Sequence, residues 1–446
     1  MIAPPKTEES LCDSVVTLPP FAEECPVAAS RPARLPVLRG IKNASYLALG
    51  NLVAQAIGLV GFAYIARVLG PHDYGTYLTV GAFVGMFDVF LLSGLNKVII
   101  REGSQDVSSM HLSLERTIAL RNLLSLVAIV LCIVSSFFAP YEVRTRLYIV
   151  LFSVQLAYTG LQGFLQTIYQ ATERMRYIAI LSVVNRTLSV GLSIVFLSCG
   201  FGLLALFLIL LGSDLVTTVA TYRHSQSLVP FRFFSGIQFD KRLLKPAVVF
   251  SLLGFMAFFA SRIDLLMISF LGMAKQVGVY GVAYKIAQQG EMLKNVCAVA
   301  FFPILVKRFH ERAVDSRALV QYSVLFFAGI LVLSLAAFFA VPGIIKVLFG
   351  PAYTDSGVIL RVLIFYLAFA WATLPFTSLL QATGNERYLI LPTLILGGLN
   401  VVFNYVLFLR YGLIGIAYST LMVESIGCVL YCTVAYRVLR RQGHLV

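Results

Sequence analysis

Long apolar runs dominate this chain. They lie at 45–66, 76–100, 118–139, 147–169, 177–198 and 202–222, and again at 247–271, 279–305, 319–341, 358–380, 389–409 and 412–436. A run of about 20 residues crosses roughly 30 Å of hydrocarbon as an α-helix. Inside a bilayer every backbone polar group must be satisfied internally, which leaves helices and closed barrels as the spanning structures. Stretches such as LLSLVAIVLCIVSSFFA (123–139) lack the polar alternation of a barrel strand. The residues are 59% hydrophobic and 13% charged, and the longest gap between runs is 223–246. The expected fold is therefore all-α and polytopic, with about 12 transmembrane helices and no large domain outside the membrane.

Three weak internal matches organise these helices. QATERMRYI (170–178) returns as QATGNERYL (381–389), RVLGPHDYGTY (67–77) as SFLGMAKQVGVY (269–280), and FGLLAL (201–206) as YGLIGI (411–416). They occur in the same order at offsets near 200–211 residues, each pair at equivalent places in two sets of six spans, as a duplication would leave them. Six is even, so the copies enter the membrane from the same side. They form two parallel six-helix lobes related by an axis along the membrane normal. The division expected is a disordered cytoplasmic tail at 1–40, rich in proline, an N-lobe at 41–222, an inter-lobe linker at 223–246, a C-lobe at 247–436 and a cytoplasmic tail at 437–446.

Lys and Arg orient the bundle. With the N-terminus inside, 23 of the 35 fall on inside segments and six on outside ones. The bias puts both termini in the cytoplasm. The net charge of +14 is then mainly an orientation signal rather than a nucleic-acid footprint. The seven cysteines form no CxxC and no cluster with histidine, so they read as small buried hydrophobes, and no metal or other cofactor is expected.

Charges deep in the spans carry the functional signal, because an ionisable group at the bilayer centre costs at least about 2.5–3.5 kcal/mol unless it meets a partner or water. Lys285, Gln288, Gln289, Met292 and Asn295 share one face of span eight, with Glu291 and Lys294 widening the arc. Span one adds Asn51 and Gln55, span four Gln155, Gln162 and Gln166, and span five Arg186 beside Ser182, Ser189 and Ser193. Arg262 and Asp264, two apart on span seven, point nearly opposite ways, so one of them at most dominates a lumen. The residues expected to line a substrate cavity are Arg262, Lys285, Lys294, Arg186, Asn51, Gln55, Gln162, Gln288 and Asn295. The excess of cations suits a pyrophosphate or acidic sugars, and the amides suit sugar hydroxyls. The acids Asp88, Asp264, Glu291 and Glu424 are the candidates for coupling to H+ or Na+, with internal ion pairing as their competing role.

The stretch YIARVLGPHDYGTYLTVGAFVGMFDVFLLSGLNKVIIRE (64–102) resembles the start of Wzx-type polysaccharide or O-antigen flippases. SRIDLLMISFLGMAKQVGVYGVAYKI (261–286), FFP (301–303) and LFGPAYTDSGVILRVL (348–363) resemble their second lobe. The resemblance spans about 40–440 and implies the fold of the multidrug/oligosaccharidyl-lipid/polysaccharide exporter superfamily. It implies a non-enzymatic flippase that moves undecaprenyl-pyrophosphate-linked repeat units across the bacterial inner membrane by alternating access, for exopolysaccharide, capsule or O-antigen synthesis. The partners implied are the lipid-linked oligosaccharide, membrane lipid, and the polymerase and chain-length regulator of such a pathway. Two relatives of the same superfamily compete: a lipid II flippase, and a cation-coupled drug antiporter, which the excess of Arg and Lys speaks against. A membrane glycosyltransferase would need an acid or histidine cluster in a long loop, and the loops are short.

Overall fold

The computed structural model describes residues 34–91, 110–232, 262–310 and 316–441, apart from Gly272, with scattered positions between them. The tail at 1–33, linker residues 233–246, most of span seven before Arg262 and the last five residues lie outside the described residues. By its contacts the chain divides into Met1–Lys42 and Asn43–Val446. The first helix, α1 (Arg34–Gly85), begins inside the segment expected to be disordered. Pro36 sits in its first turn, where no intrahelical N–H is required, and no further proline follows before Pro71.

The remaining helices are α2 (Met110–Phe138), α3 (Val143–Phe152), α4 (Gln155–Ala171), α5 (Met175–Ser198) and α6 (Leu203–Gln226) in the first half. In the second half residues 262–270 are helical, followed by α7 (Ala274–His310), α8 (Ser316–Phe349), α9 (Thr354–Ala372), α10 (Leu374–Ala382), α11 (Ile390–Tyr411) and α12 (Leu413–Arg441). Among the described residues nine helical segments are long and apolar enough to cross a membrane, and there is no strand. Ser45–Leu91 is one such segment and holds both of the first two expected spans. Several helices overrun the apolar runs, α2 by eight residues at its start, because backbone hydrogen bonding continues where hydropathy has already fallen.

Two breaks are instructive. The loop expected between spans one and two is absent: α1 turns at Gly70 (φ 72, ψ 172) and resumes at Pro71. The same conformation recurs at Gly350 (φ 86, ψ 178) before Pro351. This region of backbone space belongs almost exclusively to glycine. Further on, the second span leaves α geometry at Met86 and runs as a 3-10 helix to Leu91, with Asp88 inside it.

The repeated Q-A-T segments fold into one structure twice. Glu173 (φ 55) and Gly384 (φ 69) are the left-handed residues ending α4 and α10. Arg174 N–H donates to Tyr169 O and Asn385 N–H to Leu380 O, both at 2.8 Å, and the left-handed Glu173 and Gly384 donate to Gln170 O at 3.2 Å and Gln381 O at 3.1 Å. These bonds are a Schellman-type cap, which satisfies the last carbonyls of each helix. Gly202 and Gly412, from the third repeated pair, each stand immediately before a helix, α6 and α12.

Within the first half the rings of Tyr148 and Phe152 each stand 5.1 Å from Phe207, tying α3 to α6. The second half has its own core around Tyr280, Tyr353 and Tyr366, which α1 joins through Ala66 and Tyr74.

Candidate functional site

A cavity of about 380 Å³ lies between the halves. Its walls come from both arms of α1, from α3 to α6, from the helical stretch at 262–270 and from α7. Arg186 of α5, Arg262 and Lys285 of α7 all line it, with Gln55, Asp88, Gln155 and Gln289. Among the described residues no carboxylate lies within 4 Å of any of the three cations; the ion pairs found are His72 with Asp73 and Arg144 with Asp73. Lys285 Nζ donates to Gln288 Oε1 at 3.4 Å, a neutral partner that leaves the ammonium's charge unpaired, and Gln289 Nε2 donates to the Lys285 backbone carbonyl at 3.1 Å. Arg186 reaches the cavity across span one at Gly58, where an added Cβ would stand 3.3 Å from its Nε.

One end of the cavity is sealed. The segments 71–78 and 274–281, the second pair of the internal repeat, meet backbone to backbone. A Cβ at Gly75 would fall on the Ala274 carbonyl oxygen, and one at Gly278 on that of Pro71. The contact is reciprocal, since 71 and 75 map onto 274 and 278 by one offset of 203. Around it Tyr353 Oη donates to Ala66 O (2.7 Å), Arg67 Nη1 to Val347 O (3.0 Å), and Tyr141 Oη pairs with Ser269 Oγ (3.0 Å). Tyr141 and Phe270 stack at 5.9 Å, and Phe62 and Phe349 lie 5.1 Å apart. All three hydrogen bonds sit at the end that carries the turns after the odd-numbered spans.

The expected site residues therefore divide. Arg262, Lys285, Arg186, Gln55 and Asp88 converge on the cavity, and Gln288 touches it through Lys285. Asn51 and Asn295 are exposed and are not among the lining residues, because the polar face of α7 continues beyond the cavity. Gln162 is turned into the first half, where its Nε2 donates to Thr217 Oγ1 at 3.1 Å. Asn185 joins that network, donating to Asp214 at 2.8 Å and to Thr217 at 3.0 Å. Lys294, Glu291 and Glu424 are not among the lining residues; they lie in the second half within range of one another's charge, and no ion pair within 4 Å joins them among the described residues.

Arg262 and Asp264 do face apart. Asp264 is buried and accepts hydrogen bonds from Tyr280 Oη (2.6 Å), Asn404 Nδ2 (2.7 Å) and Thr420 Oγ1 (3.2 Å). It thereby ties 262–270 to α7, α11 and α12. Asn404 Oδ1 is buried beside it without a donor among the described residues.

Two features escaped the sequence reading. Tyr74 and Tyr77, treated as part of a repeat motif, line the cavity directly beneath the seal. Arg121, counted with the cytoplasmic basic residues, is 3% exposed inside the first half. Its Nη1 donates to Asn96 Oδ1 at 2.6 Å and its guanidinium stands 5.8 Å from the Phe164 ring. The apolar neighbours Ile118, Leu120 and Leu124 were the available sign that the helix had already entered the membrane.

Fold and site together define a multi-pass membrane protein of the transporter type, with a cationic chamber between two halves. Residues 41–309 match the family described as polysaccharide biosynthesis protein, and the chain belongs to that family. A curated relative, the probable low-salt glycan biosynthesis flippase Agl15 of Haloferax volcanii, is 23% identical over 86% of this chain and 81% of its own. Among solved structures, an inward-facing multidrug resistance MATE transporter of the MOP superfamily superposes with a TM-score of 0.68 at 16% identity, over 87% of this chain and 95% of that one. The lipid II flippase MurJ in its inward closed conformation gives 0.68 at 14% identity, over 86% of each. The two-lobed fold expected from the sequence is the fold of these transporters.

Proposed function

We propose that this protein is a flippase of glycan biosynthesis that carries a polyisoprenyl-pyrophosphate-linked oligosaccharide across the membrane. The observation that carries the reading is the meeting of Arg186, Arg262 and Lys285, from both halves, in one chamber with no carboxylate within 4 Å among the described residues. Fixed cations beside amides suit a pyrophosphate joined to sugar hydroxyls. A site for organic cations would present the reverse charge. The chamber lies within the usual range for ligand pockets, about 300–1,000 Å³. The lipid-linked head group enters it between the lobes, the isoprenoid stays in the bilayer, and opening of the seal releases the head group on the far side. We place the protein in the bacterial inner membrane with both termini cytoplasmic, where polymerase and chain-length regulator would follow it.

For coupling, Asp264 is the best placed of the four acids. Its three hydrogen-bond donors sit on three different helices, so a proton or Na+ bound there alters how those helices pack. Asp264→Asn should uncouple transport from the driving gradient, and imposing Na+ and pH gradients separately on proteoliposomes identifies the ion.

The reading is tested by leaflet-resolved detection of the lipid-linked oligosaccharide in cells carrying Arg262→Gln with Lys285→Gln. Accumulation facing the cytoplasm, loss of surface glycan and normal protein abundance are expected. Normal delivery to the outer leaflet would overturn it.

A further inference from the structure

A second cavity, of about 790 Å³, opens at the end of the C-lobe where α12 leaves the apolar stretch. Val320 and Val324 of α8, Phe376 of α10 and Tyr436 of α12 form its apolar wall, and Arg437 and Arg440 stand at its mouth. The two arginines are three apart and so share a helix face. The last span ends at Val438, between the two arginines, which puts both at headgroup level. Among the described residues neither has a carboxylate within 4 Å. Ser323, 8% exposed, lines the same cavity with an Oγ that has no hydrogen-bond partner among the described residues.

The internal repeat shows what such a groove accepts. Spans three, four and six of the N-lobe correspond to nine, ten and twelve, and there the chain itself occupies the corresponding place. Val229 and Phe231 are buried against Leu114, Ile118 and Phe164, with Phe231 5.9 Å from the Phe164 ring and 6.0 Å from Tyr222. Gln226 clamps the segment through both its amide atoms, at 2.8 and 3.2 Å. The N-lobe groove is thus filled by an apolar strip, while the C-lobe groove keeps its apolar wall and adds two unneutralised guanidiniums at the membrane edge.

We infer that the C-lobe groove is a binding site for an anionic phospholipid of the surrounding bilayer. Its phosphate sits between Arg437 and Arg440, and one acyl chain lies over Val320, Val324 and Phe376. Ser323 donates to the ester region of that chain. The lipid ties α8, α10 and α12 together as Phe231 ties their N-lobe counterparts. The inference rests on the multi-pass membrane fold and is independent of what the central chamber carries.

The test is native mass spectrometry of the full-length protein released from micelles containing phosphatidylglycerol or phosphatidylcholine. Wild type should retain one phosphatidylglycerol and no phosphatidylcholine. Arg437→Gln with Arg440→Gln should weaken retention roughly five-fold per arginine, about thirty-fold together. Both positions are exposed, so the fold is not at stake. Ser323→Trp, which fills the groove and keeps both arginines, should also abolish retention. Equal retention by the charge variant or by Ser323→Trp would overturn the site. Displacement of phosphatidylglycerol by an equimolar polyprenyl pyrophosphate would reassign it to the transported lipid.

Discussion

Alanine at Gly75 should drive the seal open. In the sealed state a Cβ at this position would stand 2.7 Å from Gly278 N and closer still to the Ala274 carbonyl oxygen, where ordinary contact begins near 3.4 Å. The backbones must then part by at least 0.7 Å, and the surrounding bonds of Tyr353, Arg67 and Tyr141 lengthen with them. Overpacking of this kind costs about 1–3 kcal/mol. The cost falls on the sealed state alone, since any state that separates 71–78 from 274–281 has room for the methyl group. The equilibrium therefore shifts by roughly 5- to 150-fold toward the open form. Spin labels at His72 and Lys275, both exposed and related by the repeat, report the gap directly. The distance distribution should lengthen for Gly75→Ala and again for Gly278→Ala. Gly212→Ala, whose Cβ meets nothing within 4 Å, should leave it unchanged. A wild-type distribution in both gate variants would refute the close approach as the gate.

Other consequences are smaller. Tyr353→Phe removes the buried 2.7 Å bond to Ala66 O and should weaken the same seal by about 1 kcal/mol, read with the same label pair. Glu173→Gly relieves a left-handed non-glycine residue and should raise thermal stability in detergent by about 0.5–1 kcal/mol, whereas Gly384→Ala at the equivalent cap should lower it by about 1 kcal/mol. Arg121→Met keeps the packing over Phe164 but strands Asn96 Oδ1 and should lower thermal stability by about 1 kcal/mol. Arg121→Ala should lower it by about 2 kcal/mol or more through the space left behind.

The bundle was legible in the sequence because apolar length is a one-dimensional signal, and so was the repeat, because the caps and turns depend on a few local residues. Gln170–Thr172 and Gln381–Thr383 carry the same cap whatever packs around them. The cavity was partly legible: Arg186, Arg262 and Lys285 stand out as charges in apolar helices. The division between Lys285, which lines the chamber, and Lys294, which lies outside it within range of the charges of Glu291 and Glu424, was not readable. The two lie on one polar arc and differ only in how far the neighbouring helices extend along it. Gln162 and Asp264 carried the same ambiguity, since a polar face fits a packed network as well as a lumen. Tyr74 and Tyr77 were hidden by ordinary composition.

The repeat also separates what holds the protein together from what distinguishes it. Pro71, Gly75 and Tyr77 have counterparts at 274, 278 and 280 by the offset of 203, and the two glycines close on each other across the axis. Under that same offset Arg262 falls on Leu59 and Lys285 on Ala82, and both of these line the chamber as apolar wall. The gate is thus symmetric and the cationic face is not. A symmetric gate fits the proposed transport cycle, in which two lobes rocking about one axis release equivalent contacts together. The substrate imposes no such condition. In the proposed function the cargo carries its pyrophosphate at one end of a glycan and is polar end to end, so cations gathered on α5, α7 and the helical stretch at 262–270 would fix which way its head group lies in the chamber. Moving a cation to the facing wall, as Ala82→Lys combined with Lys285→Ala, keeps the net charge and should still abolish transport. Retained transport would mean that the chamber reads charge without reading its position.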